Sequence, residues 1–179
     1  DILSYYWDFG NCIKDSIILT NPTDPGVDPF PGKSYPYPQA GIYTVEMIAS
    51  GFCPPGDTAT MQVTVNQRPN ATAIGNNVCL GQTTLFDATV SKKLQYTRTD
   101  TCGNNILVPE GGEILSYSWD MNGALGNWMN GTTPNDLAFE FEFIECGIHQ
   151  VSFSVLDENG CDTTIYIDVE VYDLPNPIL

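Results

Sequence analysis

Two stretches of this chain carry the same strand-like pattern: residues 113–121 read EILSYSWDM and residues 1–9 read DILSYYWDF. In the later stretch, Leu115, Tyr117 and Trp119 alternate with polar residues, so the segment has one apolar and one polar face. An alternation with a period of two is typical of a half-buried β-strand. The pattern therefore predicts a β-strand with a tryptophan on its apolar face at two places in the chain.

The blocks that surround these strands also recur, and they recur in the same order. GIYTVEM at 41–47 matches GIHQVSF at 147–153, and VTVNQRPNA at 63–71 matches VEVYDLPNP at 169–177. The offsets run from 106 to 112 residues. The sequence therefore predicts an internal repeat with a unit of about 110 residues.

The two copies begin at different points of the repeat. The segment before the second tryptophan strand, residues 70–93, has no counterpart in the first copy. We therefore expect residues 1–68 to be the C-terminal part of one repeat, 69–174 a complete repeat, and 175–179 the start of a next one. Because missing strands would leave sheet edges unpaired, we expect the first repeat to be completed by preceding chain or by another subunit.

Short strands of the same character fill most of the chain. Ile165, Ile167, Val169 and Val171 alternate with other residues, and clusters of Gly, Pro and Asn separate such runs. No segment shows a convincing helical stripe. The sequence predicts an all-β protein of tandem β-sandwiches, the first one incomplete at its N-terminal strands.

Composition excludes several classes of partner. The chain has 22 Asp and Glu against 6 Lys and Arg, with a net charge of -16, which excludes nucleic acid and anionic lipid as partners. It has no apolar run of about 18 residues, so no membrane insertion is predicted.

Six cysteines without a CxxC pair, beside one histidine, favour disulfides over zinc. We therefore expect a secreted or cell-surface protein whose leader lies outside this sequence.

Three blocks together resemble the polycystic kidney disease (PKD) domain, an immunoglobulin-like β-sandwich: YYWDFGN at 5–11, SYPYPQAGIYTV at 34–45 and GDTATMQVTV at 56–65. The second copy departs from this pattern, since WDMNG replaces WDFG and His149 replaces the tyrosine. The resemblance implies tandem PKD-type sandwiches, as in large bacterial surface and adhesin proteins. It also implies an extracellular, non-catalytic structural or adhesive module of a long cell-surface or filament-forming protein.

The resemblance implies neighbouring repeats of the same chain or like subunits as partners, with a surface glycan or receptor as a further partner. It implies no required cofactor. The alternative is an accessory polysaccharide-binding or spacer module of a secreted hydrolase.

The tryptophans and the motif tyrosine are expected in the core. Trp7 and Trp119 should lie on central strands between two sheets, where a buried indole ring contributes several kcal/mol. Tyr43 occupies the register of His149. We therefore interpret His149, the only imidazole, as a packing residue.

No catalytic residue is predicted elsewhere. Glu140 and Glu142 alternate with phenylalanines and indicate a solvated strand face rather than a catalytic pair. Trp128 is expected to pack over a sheet edge, with stacking on a sugar ring as the alternative.

Four cysteines, Cys79, Cys102, Cys146 and Cys161, fall in the complete repeat. In an immunoglobulin-type topology the A–B and E–F turns share one end, and the B–C and F–G turns share the other. This favours Cys79–Cys146 with Cys102–Cys161. The PKD resemblance implies instead Cys79–Cys161, which leaves Cys102 with Cys146.

The remaining cysteines, Cys12 and Cys53, are expected at opposite ends of the first repeat, too far apart for one bond. We expect their partners in the chain that precedes residue 1.

One acidic turn is a candidate site for Ca²⁺. Asp157, Asn159 and Asp162 lie close together in sequence and offer oxygen ligands, which Ca²⁺ prefers. A second acidic loop carries Asp24 and Asp28.

Candidate glycan acceptors are of two kinds. Asn70 and Asn130 lie in N-glycosylation sequons. Ser16, Thr58 and Thr163 each follow an aspartate and precede an apolar or small residue, a pattern that resembles bacterial O-glycosylation sites.

Overall fold

A computed structural model describes residues 2–19, 32–53, 55–121, 128–131 and 137–175. These described residues form β-strands and almost no helix, which confirms the predicted all-β class. None of them forms a helix long and apolar enough to cross a membrane. In chain order the strands are β1 (Ile2–Asp8), β2 (Lys14–Ile18), β3 (Gly41–Gly51), β4 (Asp57–Val65), β5 (Asn70–Gly75), β6 (Val78–Cys79), β7 (Thr83–Ser91), β8 (Tyr96–Thr99), β9 (Asn105–Val108), β10 (Ile114–Asp120), β11 (Trp128–Gly131), β12 (Ala138–Glu142), β13 (Gly147–Asp157) and β14 (Asp162–Tyr172).

The chain divides into two compact units. The first contains Asp1–Asn66 with Gln95–Pro109, and the second contains Gln67–Leu94 with Glu110–Leu179. The predicted range 69–174 therefore differs from the second unit chiefly in Gln95–Pro109, which belongs to the first unit. That the chain begins within one repeat and ends in the start of another stays a prediction.

The second unit is an antiparallel β-sandwich of the predicted immunoglobulin-like kind. One sheet has the strand order β11-β10-β13-β14-β6, and the other has the order β12-β7-β5. All pairings are antiparallel except that of β6 with β14. In the first of these sheets β10 lies between β11 and β13, and its Trp119 packs against rings of the opposite sheet.

Aromatic rings from both sheets form the core of this sandwich. The Trp119 ring on β10 is fully buried, and its centroid lies 4.5 Å from that of Phe153 on β13. It also lies 5.5 Å from Phe86 on β7 and 5.3 Å from Phe139 on β12. These contacts join the two sheets, and burial of each such ring contributes on the order of 2–3 kcal/mol.

The first unit has a four-stranded antiparallel sheet, in the order β2-β1-β3-β4, and a two-stranded hairpin, β8–β9. The pairing of β1 with β3 repeats the pairing of β10 with β13 in the second unit. Trp7 is opposite Met47 in the first, and Trp119 is opposite Phe153 in the second. Both ladders also carry a register shift at their first residue. Among the described residues, the first unit contains no counterpart of the β12-β7-β5 sheet.

The β8–β9 hairpin packs on the four-stranded sheet instead. Ile106 and Val108 on β9 are buried, and Ile106 lies so close to Gly41 that a Cβ there would be 2.5 Å from Ile106 Cγ2. A later segment of the same chain therefore packs on the first unit, whereas its completion by preceding chain or another subunit stays a prediction. Trp7 is only partly buried, and its predicted place between two sheets stays a prediction.

Candidate functional site

A disulfide joins the two turns at one end of the first unit. Cys12 follows β1, Cys102 lies in the β8–β9 turn, and their Cα atoms are 6.1 Å apart, within the usual range for a disulfide. The first turn is tight: Gly10 and Cys12 both have positive φ angles, 75° and 72°. A Cβ on Gly10 would lie 2.4 Å from the backbone oxygen of Thr44, so only glycine fits there. We call this region, residues 9–13, 35–43 and 98–106, the hairpin end.

Asp100 shapes the hairpin turn that carries Cys102. Its Oδ1 accepts hydrogen bonds from the backbone N–H groups of Cys102, at 2.9 Å, and Asn104, at 2.8 Å. Desolvation raises the pKa of Asp100, but the hydrogen bonds from Asn104 and Cys102 and the charge of Arg98 outweigh it, so the pKa lies below the ordinary 3.8. The donor atoms of Cys12, Asp100 and Cys102 lie within 4.8 Å of one another, but both cysteines are in the disulfide and offer no thiolate to a metal.

Arg98, on β8, is fixed against the sheet by two hydrogen bonds. Its Nη2 donates to the hydroxyl of Tyr43 at 2.5 Å, and its Nε donates to the backbone oxygen of Ala40 at 3.3 Å. The Tyr43 hydroxyl in turn donates to the backbone oxygen of Gln39 at 2.8 Å. Because Tyr43 is fully buried, these contacts hold the guanidinium in one position.

A row of aromatic rings runs along the same side of the first unit. Phe9 stacks on Tyr35 with ring centroids 4.2 Å apart, and Tyr37 stacks on Tyr43 at 4.4 Å. Tyr35 and Tyr37 meet edge to face at 4.8 Å, and the Tyr37 hydroxyl donates to the backbone oxygen of Phe9 at 3.0 Å. Desolvation, followed by the charges of Tyr35 and Tyr43, raises the pKa of Tyr37 above its ordinary 10.0. The row makes the YPYP segment a fixed part of the unit.

Two clefts flank the hairpin tip. One, of ≈ 400 Å³, lies between the tyrosine row and the first strand of the hairpin, with Tyr35, Gln39 and Arg98 in its lining. The other, of ≈ 600 Å³, lies between the hairpin turn and the opposite face of the sheet, with Lys14 and Glu46 in its lining. Both volumes fall within the range of small-molecule sites.

The predicted disulfide pairings are corrected. Because Cys102 is bonded to Cys12, its predicted bonds to Cys161 and Cys146 are wrong, and so is the expectation that the partner of Cys12 precedes residue 1. Cys53, Cys79, Cys146 and Cys161 are free. For Cys53, a partner in preceding chain stays a prediction.

Sheet geometry explains why Cys79 has neither of its predicted partners. Cys79 pairs with Tyr172 at the end of β14, while Cys161 precedes the start of that 11-residue strand, about 33 Å away. Cys146 lies at the same end as Cys79, but β14 runs between them. Two strand spacings amount to about 9–10 Å, which exceeds the Cα separation of a disulfide.

The candidate calcium turn is organised by one buried aspartate. Asp157 is fully buried, and its Oδ1 accepts hydrogen bonds from the backbone N–H groups of Asn159, at 3.0 Å, and Cys161, at 2.8 Å. Asn159 and Asp162 are exposed. Asp157 therefore shapes the turn between β13 and β14, and Ca²⁺ binding there stays a prediction.

The candidate glycan acceptors differ in exposure. Ser16 on β2 and Thr58 on β4 are exposed and lie in the same cross-strand row, on opposite edges of one sheet. Thr163 is half-buried, and its hydroxyl donates to a backbone carbonyl at 2.8 Å. Asn70 is exposed at the start of β5. The side chain of Asn130 lies outside the described part, and modification of all five stays a prediction.

His149 occupies the place in the second unit that Tyr43 has in the first. Its Nε2 lies 2.9 Å from the backbone oxygen of Glu145, four residues earlier, just as the Tyr43 hydroxyl bonds to Gln39. The imidazole also stacks on the Phe143 ring, with centroids 4.3 Å apart. Because a carbonyl oxygen only accepts, Nε2 carries the proton, and the ring is held by packing.

Three other predictions concern two acidic loop residues, one tryptophan and one strand face. Asp24, Asp28 and the side chain of Trp128 lie outside the described residues. Glu140 and Glu142 on β12 are exposed, in keeping with a solvated strand face.

Sequence reasoning missed the residues of the hairpin end other than Cys12, Cys102 and Tyr43. Two signals for them are present: the YPYP segment at 35–38 between two strands, and the turn-forming sequence DTCGNN at 100–105 between two short strand-like runs. Neither signal shows which sheet the hairpin contacts.

The fold and the hairpin end define a class: tandem units built from immunoglobulin-like sheets, one of them completed by a hairpin inserted in the other unit's sequence. No family model and no curated protein sequence matches the chain. It is similar to the solved PKD1 domain of Epp from Vibrio anguillarum, with 20% identity and a TM-score of 0.41 over 62% of this chain and 100% of that one. It is also similar to the fibronectin(III)-like modules of CbhA from Clostridium thermocellum, with 14% identity and a TM-score of 0.41 over 96% of this chain and 79% of that one.

Proposed function

We propose that the chain is a non-catalytic structural module of an extracellular tandem-repeat protein that forms a spacer or filament at the cell surface. The observation that carries the proposal is the position of the β8–β9 hairpin in the first unit. This hairpin lies in the sequence of the second repeat, yet it packs in the first unit and is bonded there through Cys12–Cys102. Successive repeats linked in this way resist separation when the chain is pulled.

The disulfide also supports the extracellular location. Disulfides persist in oxidising compartments and are rare where glutathione keeps thiols reduced. The bond closes a long loop, with a sequence separation of 90 between Cys12 and Cys102.

Like subunits or neighbouring repeats are the proposed partners. Strand β4 is an edge of its sheet in the described structure, and Met61 on its apolar side is 58% exposed. An open edge with an apolar side is a surface on which another β-strand can pair.

Force spectroscopy on the intact chain, pulled by its two ends, tests the proposal. In the oxidised chain the segment between Cys12 and Cys102, with a sequence separation of 90, cannot extend, so we expect reduction to add about 300 Å of contour length. Cys12→Ser should give the longer extension without reductant, and the matched control Cys53→Ser should behave as the unmodified chain. Equal extension of the oxidised and reduced chains would contradict a load-bearing bond and the structural role built on it.

A further inference from the structure

One aromatic ring of the hairpin end is held as a platform. Tyr35 stacks with one face on Phe9, at 4.2 Å and an interplanar angle of 12°, and forms an edge-to-face pair with Tyr37. Its hydroxyl accepts a hydrogen bond from Nδ2 of Asn11 at 2.8 Å. The ring is half-buried and lines the ≈ 400 Å³ cleft. Phe9 covers one face of the ring, which leaves the other face and the ring edges to meet Tyr37 and the cleft.

Planar polar groups stand beside this platform. The side chain of Gln39 is exposed at the cleft. Arg98 lines the cleft from the hairpin, and its two described hydrogen bonds use Nε and Nη2 but not Nη1. Asp100 also lines the cleft, but its carboxylate is taken up by the amides of its own turn.

We propose that this cleft binds a neutral pyranose sugar ring. The flat C–H face of a pyranose is apolar and stacks on an aromatic ring, while its equatorial hydroxyls require donors and acceptors at the rim. Tyr35 supplies the platform, and Gln39 and Arg98 supply the rim. The net charge of -16 disfavours an anionic sugar, which selects the neutral class.

The disulfide makes the site depend on oxidation. Tyr35 and Gln39 belong to the segment before β3, whereas Arg98 belongs to the hairpin that Cys12–Cys102 ties down. Reduction removes the covalent link between the two walls of the cleft and leaves only packing and hydrogen bonds to hold them. The binding site is additional to the structural role, and failure of sugar binding would leave the force experiment unaffected.

The test is a backbone amide NMR titration of the oxidised full chain with four neutral disaccharides: maltose, cellobiose, lactose and diacetylchitobiose. A digalacturonate arm provides the charged comparison. We expect at least one neutral disaccharide to shift the amides of Gln39, Arg98 and Thr99 in a saturable way. Reduction should weaken that binding.

Variants make the test specific. Tyr35→Ala should abolish the saturable shift, and Gln39→Ala, at an exposed position, should weaken binding by about two- to tenfold. The control Tyr96→Ala changes a tyrosine that is 51% exposed on the same hairpin but outside the cleft, and should bind normally. Saturable binding by none of the four, binding by digalacturonate alone, or unchanged binding by Gln39→Ala and Tyr35→Ala would overturn the proposal.

Discussion

The two units have the same central sheet but different second layers. In both, a tryptophan strand pairs with a longer strand in the same register and with the same register shift. In the second unit a three-stranded sheet covers this sheet and buries Trp119 completely. In the first, a two-stranded hairpin packs at one end and Trp7 stays partly exposed. The alternation of apolar and polar residues along each strand thus determines the central sheet. The layer that covers this sheet depends on which segment, distant in sequence, packs on it.

The corner residues of the two units sharpen the comparison. Tyr43 and His149 both bond to a backbone carbonyl four residues earlier, although their side chains differ. This corresponds to the tyrosine corner of immunoglobulin-like folds, in which a side chain fixes the chain as it enters a strand. The geometry of the corner is kept while the residue changes. The Tyr43 hydroxyl has a second hydrogen-bond partner, Arg98.

The largest expected difference between the units concerns their tryptophans. Trp119→Ala leaves a cavity between two sheets and should lower the free energy of unfolding of the second unit by about 3–5 kcal/mol. Trp7→Ala should cost the first unit clearly less, because that ring is already partly solvated. Urea unfolding followed by far-UV circular dichroism would measure both. Equal losses would mean that the first unit has a second layer as complete as that of the second.

Loss of the disulfide should affect only the first unit. Cys102→Ser removes a cross-link with a sequence separation of 90, and such bonds typically contribute about 2–4 kcal/mol to stability. We expect the thermal transition of the first unit to fall and that of the second to stay, as measured by calorimetry with and without reductant. Cys161→Ser, a free cysteine in the second unit, is the control. A drop in both transitions would show that the hairpin stabilises the whole chain.

The smallest effect is an acid-sensitive hairpin turn. The folded pKa of Asp100 lies below its ordinary value of 3.8, so its ionised form stabilises the turn fully above that pH. This contribution is lost as the pH falls below 3.8 and through the folded pKa. NMR titration should show the amides of Cys102 and Asn104 shifting with a midpoint below pH 3.8, with no such step in Asp100→Asn. A midpoint above 3.8 would contradict the hydrogen-bonded turn.

Local patterns predicted the sheets because alternation along a strand decides which face is buried. Trp119 and Phe153 are examples, since each lies on the apolar side of a run that reads as a strand by itself. The position of Gln95–Pro109 was not predictable in this way. Its own pattern gives a hairpin, but nothing in that pattern states which sheet it packs on. The cysteine pairing failed for the same reason, because it assumed that Cys102 stays with the repeat in whose sequence it lies.

The candidate site at the hairpin end could not be predicted from the sequence, because its residues come from three separated segments. Tyr35, Gln39 and Arg98 match no motif, and only the turn signals around Asp100 hint at an ordered loop. Their proximity results from packing and from the disulfide. Such a site is visible only once the chain is folded.

The borrowed hairpin imposes an order on biosynthesis. A ribosome releases Asp1–Asn66 well before Gln95–Pro109 has been translated, so the first unit must wait, unfinished, for a segment made later. In an extracellular protein of the proposed kind, Cys12 would enter the oxidising compartment before Cys102. During this interval the nascent chain exposes apolar surface and an unpaired thiol.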